Sequence, residues 1–455
     1  MVLTASVRPD TNTNKIRNEE FKIWKKSIPS IYQHISTFKP SFTSRIYDTE
    51  SIPKTMTFTH ELVPDKEQGT LTTSVLYSQG SDIFEVPCSL PLGLHSSFGE
   101  SLPEPQYHEA SVSEEHGLQP KWSYQGENII KLQYVGTPDC AVIAMASNGS
   151  LAWFKEGIKV PVKVMAEIMG PSTSFSMIHS LKQINNGIIS DFALSHDTET
   201  VVKTQSRIAG SEESSILKIV DNSDKPGELL RTINIPGTTV SHTVKFHNNH
   251  LFSTCSDDNR LRFWDTRSDK PVWSLSDPKN GSLTCFDVSP VIDTLFVTGT
   301  STGVLKLWDL RAVAASTGHD DDSTTEIVSL YHSGGDSVAD VQFGFTSPTQ
   351  FLSVGGSGNV YHWDLEYLFA SGSGEDDEVL DSEELQQQCL KFMHTGGGRR
   401  SIGNLNKRGT VSWHEIIDDV VGCVDADGLL TVYKGYYGRE DTEDVGGEAE
   451  EQAQE

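Results

Sequence analysis

A tryptophan–aspartate pair closes three successive segments of this 455-residue chain, at Trp264-Asp265, Trp308-Asp309 and Trp363-Asp364. The segments read LFSTCSDDNRLRFWDTR (251–267), LFVTGTSTGVLKLWDLR (295–311) and FLSVGGSGNVYHWDLE (351–366). Each is an apolar strand ending in small residues, then a polar turn, then an alternating strand. The first two pairs lie 44 residues apart, the period of one four-stranded propeller blade. The next spacing is 55, and an acidic segment around Asp320-Asp321-Asp322 is expected to lengthen the connection between blades there. β-Branched and aromatic residues pack one sheet on the next, Gly, Ser and Asp make the turns, and Trp fills the space between blades. A lone blade leaves both faces uncovered, so only a closed ring satisfies the pattern.

Weaker copies extend the ring in both directions. IIKLQYVGTPDCAVIAMASNGSLAWF (129–154) keeps the rhythm with Trp153-Phe154 in the closing position. IISDFALSHDTETVVKTQS followed by SSILKIVDN (214–222) gives another copy, and TVSWHEIIDDVVGCVDADGLLTVYK (410–434) a sixth. The alternating segment 55–86 supplies a seventh. The expectation is an all-β fold, a seven-bladed β-propeller whose last blade is completed by an amino-terminal strand. Such closure removes exposed sheet edges.

The chain carries 36 Lys+Arg against 63 Asp+Glu, a formal net charge of −27. That balance excludes a direct nucleic-acid surface, which needs a basic stripe to displace counterions, and favours a basic partner. With 19 Phe, 12 Tyr and 8 Trp the chain has ample material for a core. Six scattered cysteines, at 88, 140, 255, 285, 389 and 423, read as free buried thiols of a reducing compartment. The start, MVLTASVRPD, has no apolar signal core, and no apolar run reaches the length of a membrane span. Asn148-Gly149-Ser150 matches a glycosylation sequon but reads better as a hairpin turn. A cytosolic or nuclear protein without membrane contact is expected.

Outside the ring, residues 18–38 are the best helical candidate. Phe21, Trp24, Ile28, Ile31, Ile35 and Phe38 recur at three- or four-residue steps, and Asn18 can cap the start. Two acidic stretches follow later. One carries seven carboxylates from Glu375 to Glu384; the other, after Arg439, carries eight in its last sixteen residues. Like charges at this density stay solvated, so disorder is expected of both. The chain therefore divides into a flexible start (1–17), a helix packed on the propeller (18–38), the propeller (39–438) with an acidic insertion (371–390), and a disordered acidic tail (439–455).

No chemistry-bearing motif survives inspection. There is no Walker-type loop, no nucleophile elbow and no pair of His at helical spacing. His242, His247 and His250 crowd together, but in a strand and its hairpin, where structural or solvent-facing roles are commoner. No ionisable residues are seen to converge at the inner strand ends, as an enzyme using the central channel would require. No catalytic, cofactor-binding or metal-binding residue is assigned, and a binding protein is expected.

The opening NEEFKIWKKSIPSIYQHI, the following KPSFTSRI (39–46), the repeat ends RLRFWDTRSDKP and TGTSTGVLKLWDLR, and CLKFMHTGG (389–397) together resemble the retinoblastoma-binding WD-repeat proteins. Those proteins serve histone chaperones and deacetylase complexes. The combination of that helix with eroded repeats looks most like the family's fungal branch of transcriptional modulators, which includes a meiotic-gene repressor of a histone deacetylase complex. The resemblance implies a nuclear, non-enzymatic corepressor subunit, with some cytoplasmic presence, whose partners are deacetylase-complex subunits and histones. Other branch members anchor the small subunit of ribonucleotide reductase in the nucleus, and that role is the alternative. The family's helix and acidic insertion form a side groove for an amphipathic helix. By that resemblance Phe21, Trp24 and Ile28 lie near the groove, and Glu375, Asp376, Asp377, Glu378 and Asp381 meet basic residues of the incoming chain. Where the family has paired prolines, this chain has Glu384-Leu385-Gln386-Gln387-Gln388.

Overall fold

The computed structural model describes residues 30–38, 53–95, 107–110, 118–166, 188–209, 212–235, 240–316, 326–370, 382–395, 409–425 and 428–435. Seven antiparallel sheets follow one another along the chain as the seven expected blades. Blade 2, for example, runs from the inner strand Ile129–Tyr134 through Val142–Ala146 and Leu151–Phe154 to the outer strand Lys163–Met165. The hydrophobic core is not central. Among the described residues it is divided into seven main clusters, one at each junction between neighbouring blades, and a small Ile189–Val240 pair, as expected if every blade buries its faces only against its neighbours.

The Trp-Asp repeats show why that sequence recurs. Trp264, Trp308 and Trp363 are buried, and each stacks on the Phe opposite it in the preceding strand (Phe252, Phe296, Phe351) at 6.5, 6.4 and 6.1 Å between ring centroids. Each indole N–H donates to a hydroxyl ten residues earlier: Thr254 at 3.0 Å, Thr298 at 2.9 Å and Ser353 at 2.8 Å. The aspartates close the turn that follows. Asp265 is paired with Arg267 and Asp309 with Arg311, both at 2.7 Å. The Asn148-Gly149-Ser150 turn is a hairpin turn as expected, with Gly149 at φ 83° and the Asn148 side chain accepting the Ser150 N–H at 2.8 Å. All six cysteines are free and buried.

Three expectations need correction. Residues 32–38 are not helical: Tyr32–Phe38 is a strand, paired antiparallel to Leu430–Gly435, and of the described residues of 18–38 Ser30 and Ile31 alone are helical. It is therefore this segment that completes blade 7, and Tyr107–Ala110 adds in parallel outside it. Nearly every side chain of Tyr32–Phe38 is buried, so the strand shows no alternation, and its apolar residues fall by chance at helical steps. Second, the segment around Asp320 interrupts blade 5 rather than joining two blades. It lies between the Trp-Asp strand Val304–Asp309 and the outer strand Val328–Tyr331. Third, the acidic insertion is helical in its second half, Ser382–Cys389.

A Tyr–His cluster locks the closing strand. The Tyr32 hydroxyl lies 2.7 Å from His394 Nδ1, and the His362 ring nitrogen lies 2.9 Å from the Tyr433 hydroxyl. His394 stacks on Tyr433 at 4.3 Å, and Tyr32 meets Phe392 edge-on at 5.3 Å. The first described strand is thus tied to both of the last two blades.

Candidate partner-binding surface

Blade 6 carries the insertion between its third and fourth strands, Val360–Asp364 and Leu390–His394. Helix α1 (Glu366–Ala370) starts directly after the Trp-Asp strand, where Asp364 accepts the Glu366 N–H at 2.9 Å. Helix α2 (Ser382–Cys389) leads into the outer strand, with Glu383 and Glu384 in its first turn, where the helix dipole favours them. Leu365 and Cys389 are buried, and Leu368 and Leu385 pack against the same cluster between blades 5 and 6. Gln386 fixes α2 to blade 5. Its carbonyl accepts the Tyr331 N–H at 3.0 Å and its amide donates to the Tyr331 carbonyl at 3.0 Å, so the side chain imitates one residue of a neighbouring strand. It covers part of an edge that would otherwise present bare backbone groups.

The helices leave an apolar surface around them. Tyr331 is 46% exposed, Tyr367 39%, Phe369 47% and Met393 40%. The acidic stretch leaves the described chain at Ala370 and re-enters at Ser382, beside these residues. The amino-terminal segment enters at the same blade: Ile31 packs against Phe392 and its neighbours, and Tyr32 bonds His394 of the strand that α2 feeds. Phe21, Trp24, Ile28, Glu375, Asp376, Asp377, Glu378 and Asp381 themselves lie outside the described residues, as do the KPSFTSRI stretch (39–46) and the acidic tail. Tyr331, Tyr367, Phe369 and Met393 were not legible as a surface in the sequence, because they are spread over α1 and the outer strands of blades 5 and 6.

The central channel holds the other concentration of polar groups. Contrary to the expectation that no ionisable residues converge there, the inner strands bring Lys131, Asp191, Lys245, Asp287 and Asp340 to a cavity of about 510 Å³. Each reaches to the next blade. Lys131 meets Asp191 at 2.7 Å and Lys245 meets Asp287 at 2.8 Å. Asp191, Asp287 and Asp340 accept the backbone N–H of Val244, Phe343 and Gly409 at 2.9, 2.8 and 3.0 Å. Burial, aided by the nearby Lys245 charge, holds the Lys131 ammonium below the usual lysine range against the pull of Asp191. Burial acts the same way on Lys245, but Asp287, Asp340 and Asp191 outweigh it and raise its pKa. Groups engaged in this way work as inter-blade staples. Among the described residues no group of three or more His, Cys, Asp or Glu is arranged to hold a metal, and no helix is long and apolar enough to cross a membrane.

No family model matches the chain. Among curated proteins it is 52% identical to transcriptional modulator WTM2 of Saccharomyces cerevisiae over 443 residues, 90% of this chain and 94% of that protein. The chain belongs to the fungal transcriptional modulators. It is also 46% identical to the transcriptional regulatory protein UME1 of the same yeast over 446 residues, covering 94% of this chain and 95% of that protein. A distant match, 20% identical over 442 residues (95% of this chain, 92% of the other), is the histone acetyltransferase type B subunit 2 of Candida glabrata.

Proposed function

We propose that this transcriptional modulator is a non-enzymatic, nuclear scaffold, a corepressor subunit of a histone deacetylase complex. It receives a basic amphipathic helix, from a histone or a complex subunit, against its blade 6 side surface. The observation that carries this reading is the meeting of two segments at one blade. The chain leading from Phe21, Trp24 and Ile28 arrives where Tyr32 bonds His394, and the acidic stretch lies in sequence between α1, which carries exposed Tyr367 and Phe369, and α2. Apolar side chains give such an interface its affinity, while carboxylates steer and orient a cationic partner.

Replacing Glu375, Asp376, Asp377 and Glu378 with their amides is expected to weaken binding of a histone helix about tenfold or more, mostly through slower association. The salt dependence of binding should flatten in parallel. Titration calorimetry across a salt series checks both. Unchanged affinity and unchanged salt slope would make the stretch a solvated spacer.

A further inference from the structure

Exposed apolar residues gather at a second place, on the outer edges of blades 2 and 3. Ile158, Val160, Val162 and Val164 are all exposed, and Leu229 and Leu230 of the outer blade 3 strand Leu229–Asn234 are more so on average. The two edges touch. A Cβ added to Gly227, two residues before Leu229, would lie 2.9 Å from Cγ of Lys163 and 3.3 Å from the Trp153 ring. Along 158–164 the apolar residues alternate in sequence with Lys159, Pro161 and Lys163; the chain bends before the strand Lys163–Met165, in which Lys163 and Val164 point to opposite faces. Neighbouring Lys155 and Lys225 are paired with Asp139 and Glu228, whereas Lys159 and Lys163 form no ion pair among the described residues. Lys163–Met165 is the outermost strand of its sheet, and one row of its N–H and C=O groups faces away from the blade.

We infer that this edge is a second docking site, for an extended partner segment in which acidic and apolar residues alternate. Laid beside Lys163–Met165 as an added strand, such a segment would match valine with its apolar residues and lysine with its carboxylates. Pro161 has no N–H to offer, so the backbone pairing begins after it. The charge argument selects the partner: the chain carries −27 overall, yet this edge offers two ammonium groups with no counter-charge beside four exposed aliphatic side chains. The site lies on different blades from the α1–α2 surface, so a modulator using both would bridge a basic and an acidic partner.

Fluorescence anisotropy of the full chain with a labelled heptapeptide of alternating Glu and Val tests this directly. Saturable binding that weakens with salt is expected. It should weaken about tenfold or more in Lys159→Glu/Lys163→Glu and in Val162→Asp, and stay unchanged in Phe369→Ser. All these positions are exposed, and thermal melts of each variant confirm folding. No saturable binding, equal binding of a Lys–Val peptide, or full binding by the edge variants would overturn the inference. So would concentration-dependent dimerisation abolished by Val162→Asp, which would give the edge to a second copy of the chain.

Discussion

Lowering the pH from 7 towards 4 is expected to destabilise the propeller steeply, and most of the loss should begin before the carboxylates titrate. Among the almost wholly buried histidines are His247, His332, His362 and His414. Burial pushes His247, His332 and His414 down from 6.5 to about 4, and His362 to about 3. Above pH 6.5 folded and unfolded chains both carry neutral imidazoles, and stability is at its full value. Below it the unfolded chain binds protons that the folded chain refuses, so stability falls until the folded imidazoles titrate near those lowered values. At about 1.36 kcal/mol per unit, four such groups reach on the order of 10 kcal/mol, comparable to the whole stability of a domain. Urea unfolding followed by circular dichroism should show the midpoint dropping between pH 6.5 and 5, where carboxylates hardly change. A flat midpoint over that window would mean that these rings are hydrated or already charged in the fold.

Tyr32→Ala is expected to lower stability by about 3–5 kcal/mol, the usual cost of removing a buried aromatic ring. The ring is 1% exposed, sits edge-on to Phe392 and Tyr433, and gives up a 2.7 Å hydrogen bond to His394. Because Tyr32–Phe38 closes blade 7, the damage should appear at the junction of blades 6 and 7 and not around the ring. Hydrogen exchange should rise in Leu390–His394 and Leu430–Gly435 while blades 2 to 4 keep their protection. Tyr32→Phe keeps the packing and should cost only about 1 kcal/mol. If Tyr32→Ala unfolds within about 1 kcal/mol of the native chain, this strand does not hold the ring closed.

The seven blades were legible because the repeat is a packing requirement. Each Trp-Asp segment needs an indole, a hydroxyl ten residues earlier and an opposing Phe, and those residues cannot drift far. The closing strand was not legible as a strand. Burial on both faces erased its alternation, and Ile35 and Phe38 then continue the helical steps of Ile28 and Ile31 by accident. Helix α2 was hidden by its own charge, since Glu383 and Glu384 extend the acidic run while Leu385 and Cys389 hold the helix to the blade. The channel charges left only a faint signal, one Lys or Asp within each of successive inner strands: Lys131 in IIKLQY, Asp191 in IISDFAL, Lys245 in SHTVKF, Asp287 in LTCFDV. One blade apart in sequence, they look like isolated surface residues until the ring turns them towards one another. The partner surface was legible only in part. Its acidic stretch can be read from the chain, whereas the exposure of Tyr331, Tyr367, Phe369 and Met393 on blades 5 and 6 and their connecting helix emerges only from the fold.

The central claim, that this modulator holds a deacetylase complex through its blade 6 surface, is tested most directly by tagged purification from nuclear extract. Deacetylase activity would be assayed on the eluates of the native chain and of the Glu375, Asp376, Asp377 and Glu378 amide variant. The account predicts activity that co-elutes with the native chain and is largely lost from the folded variant. Recovery of ribonucleotide reductase small subunits without deacetylase activity, or equal activity from both proteins, would contradict it.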